Sequence, residues 1–249
     1  MMDEQIPTPG TAVPETAQMG MVARFISVFT DPKRAFLTIR KNHEWLVVLV
    51  LVSVLGLATY QLTRPIIRKD VIANLEETLK SNPNITEERR EEIIESVAAR
   101  FDNPIWQLVG PVFQLLAMVV VSAILLFLGN IILGGQTKFL YVLNMYALTL
   151  LIMIPESIVK VPLMISKEST KVQTSLALFV SSESANTFLG TLLGKFDLFG
   201  LWQLVLIILG LSVLCRTPVS KSAWAVGIVW FIWVVIQAGL ASLGIRMGM

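Results

Sequence analysis

The sequence is poor in the residues that carry out chemistry. A single cysteine, Cys215, excludes an intrachain disulfide and any multi-cysteine metal site; at the end of an apolar run it reads as a packing residue. The single histidine, His43, stands between Asn42 and Glu44 and reads as a solvated or snorkelling group rather than a catalytic base. Charged residues make up only 15% of the chain, against about 25% in soluble domains. The net charge of +2 comes without a long Lys/Arg cluster, which argues against a nucleic-acid partner. No HExxH, glycine-rich phosphate loop, Walker motif or paired membrane carboxylates occur, so neither an enzyme nor a bound cofactor or metal is expected. A signal-peptide apolar core is also missing from the first 44 residues. The first long apolar run, from Trp45, is therefore expected to be an uncleaved span that directs insertion.

What the chain has instead is apolar length. Hydrophobic residues reach 54% and mean hydropathy is +0.69. The stretch from Lys195 to Arg216 shows the pattern best: a charged and aromatic threshold is followed by an apolar run from Leu204 to Leu214 that only Gly210 and Ser212 interrupt. No ionised residue lies between Leu198 and Cys215, about 27 Å of helix and close to the hydrocarbon thickness of a bilayer. The same reading gives five spans, at about 45–62, 105–133, 139–160, 198–215 and 223–243. The fold class expected is an all-α integral membrane bundle of five transmembrane helices. Trp224 reads as an interfacial anchor of the last span, and the deeper Trp230 and Trp233 as packing residues.

Four segments lie outside the spans. Residues 1–17, with three prolines and a glycine, are expected to form a disordered tail. Residues 18–44 read as amphipathic interfacial helices: Met21, Val22, Phe25, Ile26 and Phe29 recur at helical spacing, and Asp31-Pro32 opens a second helix with its own cap. The second helix puts Phe36, Leu37 and Ile39 beside Lys33, Arg34, Arg40 and Lys41, which suits either an anionic lipid surface or packing on the bundle. Residues 66–103 read as a polar helical hairpin, because Thr63-Arg64-Pro65 ends or kinks the first span and Ser81-Asn82-Pro83-Asn84 turns the chain back. Its six Lys/Arg and nine Asp/Glu make it mildly acidic. Residues 166–196 are mixed, with an interfacial helix expected from Phe188 to Phe196.

The candidate functional positions are few. Pro155 interrupts the third span, and Glu156 and Lys160 follow it at i, i+4 spacing suited to an ion pair. Asp197 precedes the fourth span, where an N-cap would stand, and Trp202 belongs to the same aromatic threshold. The amides Gln107, Gln114, Asn130, Asn144, Gln203 and Gln237 read chiefly as interhelical hydrogen-bonding groups.

Four groups of residues resemble the Yip family of Ypt/Rab-interacting proteins, especially its bacterial branch. Phe29-Thr30-Asp31-Pro32 with Phe36 is similar to that branch's N-terminal pattern. Gly134-Gly135, Lys138-Phe139, Tyr146 and Pro155 are similar to its glycine exit and third span. Phe196-Asp197-Leu198-Phe199-Gly200-Leu201-Trp202 with Gly210-Leu211 resembles its fourth-span signature, the most specific of the four. Ser220-Lys221, Ala223-Trp224 and Trp230 resemble its last span, so that the likeness covers about residues 22–243. It implies a Yip-type five-helix membrane domain with a cytoplasmic N-terminus, and in eukaryotic relatives vesicle traffic with prenylated small GTPases. The eukaryotic Asp-Leu-Tyr-Gly-Pro segment is absent, and small-GTPase binding is not carried over.

The expectation is a non-enzymatic scaffold of a bacterial cytoplasmic membrane that binds membrane lipids and membrane protein partners. A lipid or small-molecule transporter or permease subunit is the alternative, with Asn144, Gln203, Gln237 or Glu156 lining its cavity. A membrane enzyme would require Asp197, Glu156 and His43 to converge. Eight Lys/Arg flank the N-terminal side in short segments, which places that side in the cytoplasm by the positive-inside rule.

Overall fold

The computed structural model describes residues 19–39, 43–82, 84–170, 172, 174–175 and 188–242. The tail expected at 1–17, most of the segment from 171 to 187, and Arg40 and Lys41 lie outside the described residues. Among the described residues, extended pairing is limited to an isolated bridge between Ser175 and Asp197, and the regular structure is helical.

Five helices are long and apolar enough to cross a membrane: Glu44–Lys80, Pro104–Ile132, Phe139–Lys167, Leu198–Cys215 and Val219–Leu240. At most 33% of any of their apolar windows is buried inside the bundle. Side chains such as Val50, Val54, Val112, Phe113, Ile228 and Phe231 therefore point outward, a surface that water would penalise and acyl chains would not. The chain is an integral membrane protein with an all-α bundle.

In chain order, α1 (Met21–Thr30) and α2 (Pro32–Leu37) form a short helical pair ahead of α3 (Glu44–Lys80). Asp31 separates them: its carboxylate accepts from Arg34 N–H at 3.2 Å, and Pro32 takes the first helical position. The face of α1 that turns inward carries Arg24 and Val28, whereas Val22 and Ile26 are exposed. α2 lies on the fourth span and sinks Phe36 into the core.

The helix of the first span does not end at Pro65. α3 runs unbroken from Glu44 to Lys80 and carries Pro65 inside it, so the first arm of the polar hairpin is the span itself, continued. Pro65 removes the N–H that would bond the Gln61 carbonyl. The turn before it is reinforced by Thr63, whose buried hydroxyl donates to the Thr59 carbonyl at 2.8 Å. The second arm is α4 (Glu87–Asp102), capped by Thr86 through Arg89 N–H and packed back along α3. Arg64 donates to Asp102 at 2.5 Å and joins the arms at their base.

α5 (Pro104–Gln107) and α6 (Val109–Phe127) lead into a π-turn, Leu128–Ile132. There Asn130 closes the loop to the third span: its amide donates to the Thr137 carbonyl at 2.9 Å and accepts from Thr137 N–H at 3.0 Å. The third span is α7 (Phe139–Thr149), a 3₁₀ turn (Leu150–Ile152) and α8 (Met153–Lys167). α9 (Phe188–Gly194), α10 (Leu198–Cys215) and α11 (Val219–Ser242) complete the chain. Trp230 packs edge-on against Phe196 with ring centroids 5.4 Å apart. Trp233, expected as a packing residue, is instead 47% exposed on the outer face, and Trp224 is 73% exposed.

Two close approaches fix the helix spacing. A Cβ on Gly210 of α10 would lie 2.6 Å from the Met145 side chain, which is fully buried in α7. A Cβ on Gly135 would lie 2.8 Å from Cys215 Sγ and 2.9 Å from the Gly129 carbonyl, which explains the burial of Cys215. Small residues here let backbones meet where no hydrophobic force drives helices together in lipid. Gly210→Ala is therefore expected to lower the thermal midpoint in detergent. Overpacking costs about 1–3 kcal/mol and outweighs the ~1 kcal/mol that alanine gains in helix propensity. Gly227→Ala is the control: its Cβ would meet nothing within 4 Å, and the midpoint should hold or rise.

Candidate functional site

Three of the five candidate positions converge at the end of the third span remote from Phe139. Lys160 lies about 32 Å along its helix from Phe139, a full hydrocarbon thickness away. Its ammonium donates to Glu156 Oε1 at 2.6 Å and stands 3.2 Å from Asp197 Oδ2. The three side chains are only 19–30% exposed, and the Phe199 ring covers the ammonium at 5.7 Å.

Asp197 serves both of its oxygens. Oδ1 caps α10, accepting from Phe199 N–H at 2.9 Å and Gly200 N–H at 3.3 Å. Oδ2 faces Lys160 and also accepts from the Thr174 hydroxyl. Leu198 N–H donates to the Thr174 carbonyl at 3.3 Å beside the Ser175–Asp197 bridge. One carboxylate thus joins α8, α10 and the connection between them. Burial pushes the Asp197 pKa up, but the Thr174 hydroxyl, the Lys160 ammonium and the Gly200 N–H outweigh it and hold the carboxyl below its ordinary range.

The other candidates lie elsewhere. Pro155 occupies the first turn of α8, and the 3₁₀ turn before it accommodates the hydrogen bond that proline cannot make to Leu151. Trp202 meets Phe29 edge-on at 5.9 Å and ties α1 to α10. His43 is not with the charged cluster. Its ring lies 6.5 Å from Trp45, and Trp45 N–H donates to Asn144 Oδ1 at 2.8 Å. Asn144 precedes Lys160 by about 24 Å of helix. His43 therefore lies away from Glu156 and Asp197.

A family model described as the Yip1 domain matches residues 26–241. The chain belongs to the Yip1 domain family. Comparison with curated proteins and with solved structures finds no match. The matched Yip1 domain runs from within α1 almost to the end of α11, so all five spans and the Glu156–Lys160–Asp197 cluster are part of it. Its N-terminal boundary falls just after Arg24, whose partner Glu44 lies inside.

That pair is what sequence reasoning missed. Arg24 is fully buried and Glu44 nearly so, and Arg24 Nη1 donates to Glu44 Oε2. Arg24 Nε donates to the Thr38 hydroxyl at 3.0 Å and Nη2 to the Met19 carbonyl at 3.1 Å. The guanidinium fork thereby fastens α1, the end of α2 and the start of the first span together. A signal was present: Arg24 is flanked by Val22 and Ile26, so an arginine alternates with residues fit only for lipid.

A second missed site is Asp70. Its Oδ2 accepts from Thr170 N–H and the Thr170 hydroxyl, both at 2.6 Å, and from the Ser169 hydroxyl at 3.2 Å. The stalk of α3 is thereby anchored to the end of α8. Among the amides, Gln203 donates to the Thr149 hydroxyl at 3.5 Å, Gln237 is buried, and Gln107 and Gln114 line an apolar groove between α3 and α6.

Proposed function

We propose that this Yip1 domain protein is a non-enzymatic membrane scaffold that holds a charged hairpin at a fixed place beyond the bilayer and recruits membrane partners to it. The observation that carries the reading is the continuity of α3. A span that continues as the stalk, fastened at its base by Arg64–Asp102 and Asp70–Thr170, presents α4 as a rigid surface rather than a loose loop. α4 has no buried residue and displays Glu88, Glu91 and Glu95 outward. The apolar outer residues of α1 and α2, Val22, Ile26 and Leu37, add a lipid-facing surface at the opposite end. The proposed setting is a bacterial cytoplasmic membrane with the N-terminus inside, and no nucleic acid, cofactor or small GTPase among the partners.

Photocrosslinking residues at Glu88, Glu91 and Glu95 in native membranes test it. A reproducible membrane protein partner, captured there and not from matched positions on the outer face of α11, is the expected result. Absence of enrichment across several crosslinkers would overturn the scaffold reading, as would substrate turnover by purified protein. Reporter fusions in the hairpin and at the C-terminus should both lie outside the cytoplasm; two cytoplasmic signals would reverse the orientation.

A further inference from the structure

The first and second spans do not close on each other along their whole length. Between α3 and α6 lies a groove of about 420 Å³, within the range of small-molecule sites, lined by Ser53, Gly56, Leu57, Trp106, Gly110 and Gln114 among others. Its lining is mostly apolar, and it opens sideways among the exposed Val54, Val109, Val112 and Phe113. In a membrane that opening faces acyl chains.

Two facts set it apart from an ordinary gap in packing. First, Gly56 and Gly110 are helical glycines that no neighbour requires: a Cβ at either would meet nothing within 4 Å. Each costs about 1 kcal/mol of helix propensity relative to alanine. Gly210 returns that cost in close packing; these two return only empty space.

Second, the mouth of the groove is cationic. Arg64 and Arg68 follow on α3 just past the end of the apolar run, and Arg100 lies over the Trp106 ring at 5.2 Å. Facing them is Asp102, 2.5 Å from Arg64 and 3.8 Å from Arg68. Arg64 and Arg68 thus share one carboxylate, and Arg100 adds a third cation beside Trp106. The neighbouring Lys69 stands 3.5 Å from Glu168, and Lys80 stands 3.8 Å from Glu76, so those charges balance each other. The local surplus of positive charge lies on the turns just beyond the groove. A cleft of about 760 Å³ beside Gln61, Arg64, Arg68 and Lys69, with Glu76 at its far end along α3, gives a headgroup room next to it. From Gly56 to Arg64 is about 12 Å along the helix.

We infer that the groove holds an acyl chain of an anionic phospholipid, with its phosphate against Arg64, Arg68 and Arg100. The apolar part sets where the chain lies, the paired glycines make room for it, and the guanidiniums select the headgroup by charge and by their forked donors. The inference concerns the span interface and the base of the hairpin, not the outward Glu88, Glu91 and Glu95 face on which the scaffold reading rests.

The test uses the full-length protein in nanodiscs with a phosphatidylglycerol or a phosphatidylcholine that carries a photoactivatable group on one acyl chain. Labelling by the phosphatidylglycerol probe should concentrate on the peptides around Ser53–Tyr60 and Trp106–Gln114. Gly56→Leu with Gly110→Leu should reduce it about tenfold or more, a loss typical of a filled apolar pocket. Leucine at Gly227, another open glycine position, should leave it unchanged. The preference for phosphatidylglycerol should fall about fivefold for each of Arg68→Gln and Arg100→Gln. Wild-type labelling spread evenly over the five spans would overturn the proposal, and needs no variant to fold. Equal labelling of the glycine double variant and wild type would overturn it too. Equal labelling by the two lipids would overturn the arginine–phosphate contact.

Discussion

Glu44→Ala is expected to destabilise the protein by about 3–5 kcal/mol, the largest effect of any single change considered. The substitution leaves the Arg24 guanidinium fully buried with its carboxylate partner gone. The Thr38 hydroxyl and the Met19 carbonyl would still accept from it, but neither carries a neutralising charge. Detachment of α1 and α2 relieves the penalty most directly, because it returns Arg24 to water. Limited proteolysis in detergent should therefore release the N-terminal helices before the spans are cut, and the thermal midpoint should fall. A double variant, Arg24→Met with Glu44→Leu, removes both charges and should recover most of the loss, since apolar replacements of a buried pair are often neutral or better. If the double variant is as unstable as Glu44→Ala, the cost lies in lost packing and not in the orphaned charge.

Lys160→Met should have the next largest effect, about 1–3 kcal/mol, the scale of losing charge-assisted hydrogen bonds at a partly buried site. It leaves Glu156 and Asp197 facing each other without the cation between them. The cost is smaller than at Glu44 because each carboxylate keeps some exposure and Asp197 keeps its cap and the Thr174 hydroxyl. Lys160→Arg should restore much of the stability; Glu156→Gln in the Lys160→Met background should recover part of it by removing one negative charge. Thermal unfolding followed in detergent measures all three. Recovery by neither would show that Lys160 acts by packing on Phe199 instead of by charge.

How much of this was legible without coordinates depends on how far each contact reaches along the chain. The spans were legible because an apolar run such as Leu204–Leu214 needs no partner to declare itself. Glu156–Lys160 was legible because four residues of helix bring the two together. The place of Asp197 before the fourth span was legible as a cap. That it also meets Lys160 was not, because the two stand 37 residues apart and no local periodicity links them. Arg24 was missed for the same reason: it finds Glu44 only after α2 has turned back. Pro65 misled in the opposite sense. A proline after threonine and arginine reads as a stop or a kink, yet in the folded chain the helix runs on past it, with the Thr63 hydroxyl bonded to the Thr59 carbonyl.

That unbroken helix makes α3 a lever as well as a wall. About 27 Å of it, from Leu62 to Lys80, extends beyond the apolar run, so a tilt of about 10° in the span would sweep the hairpin tip through about 5 Å. Changes in bilayer thickness, which spans accommodate largely by tilting, would reach the hairpin as displacement carried along the continuous helix. The position of the tip would then report the thickness of the membrane in which its other end is set.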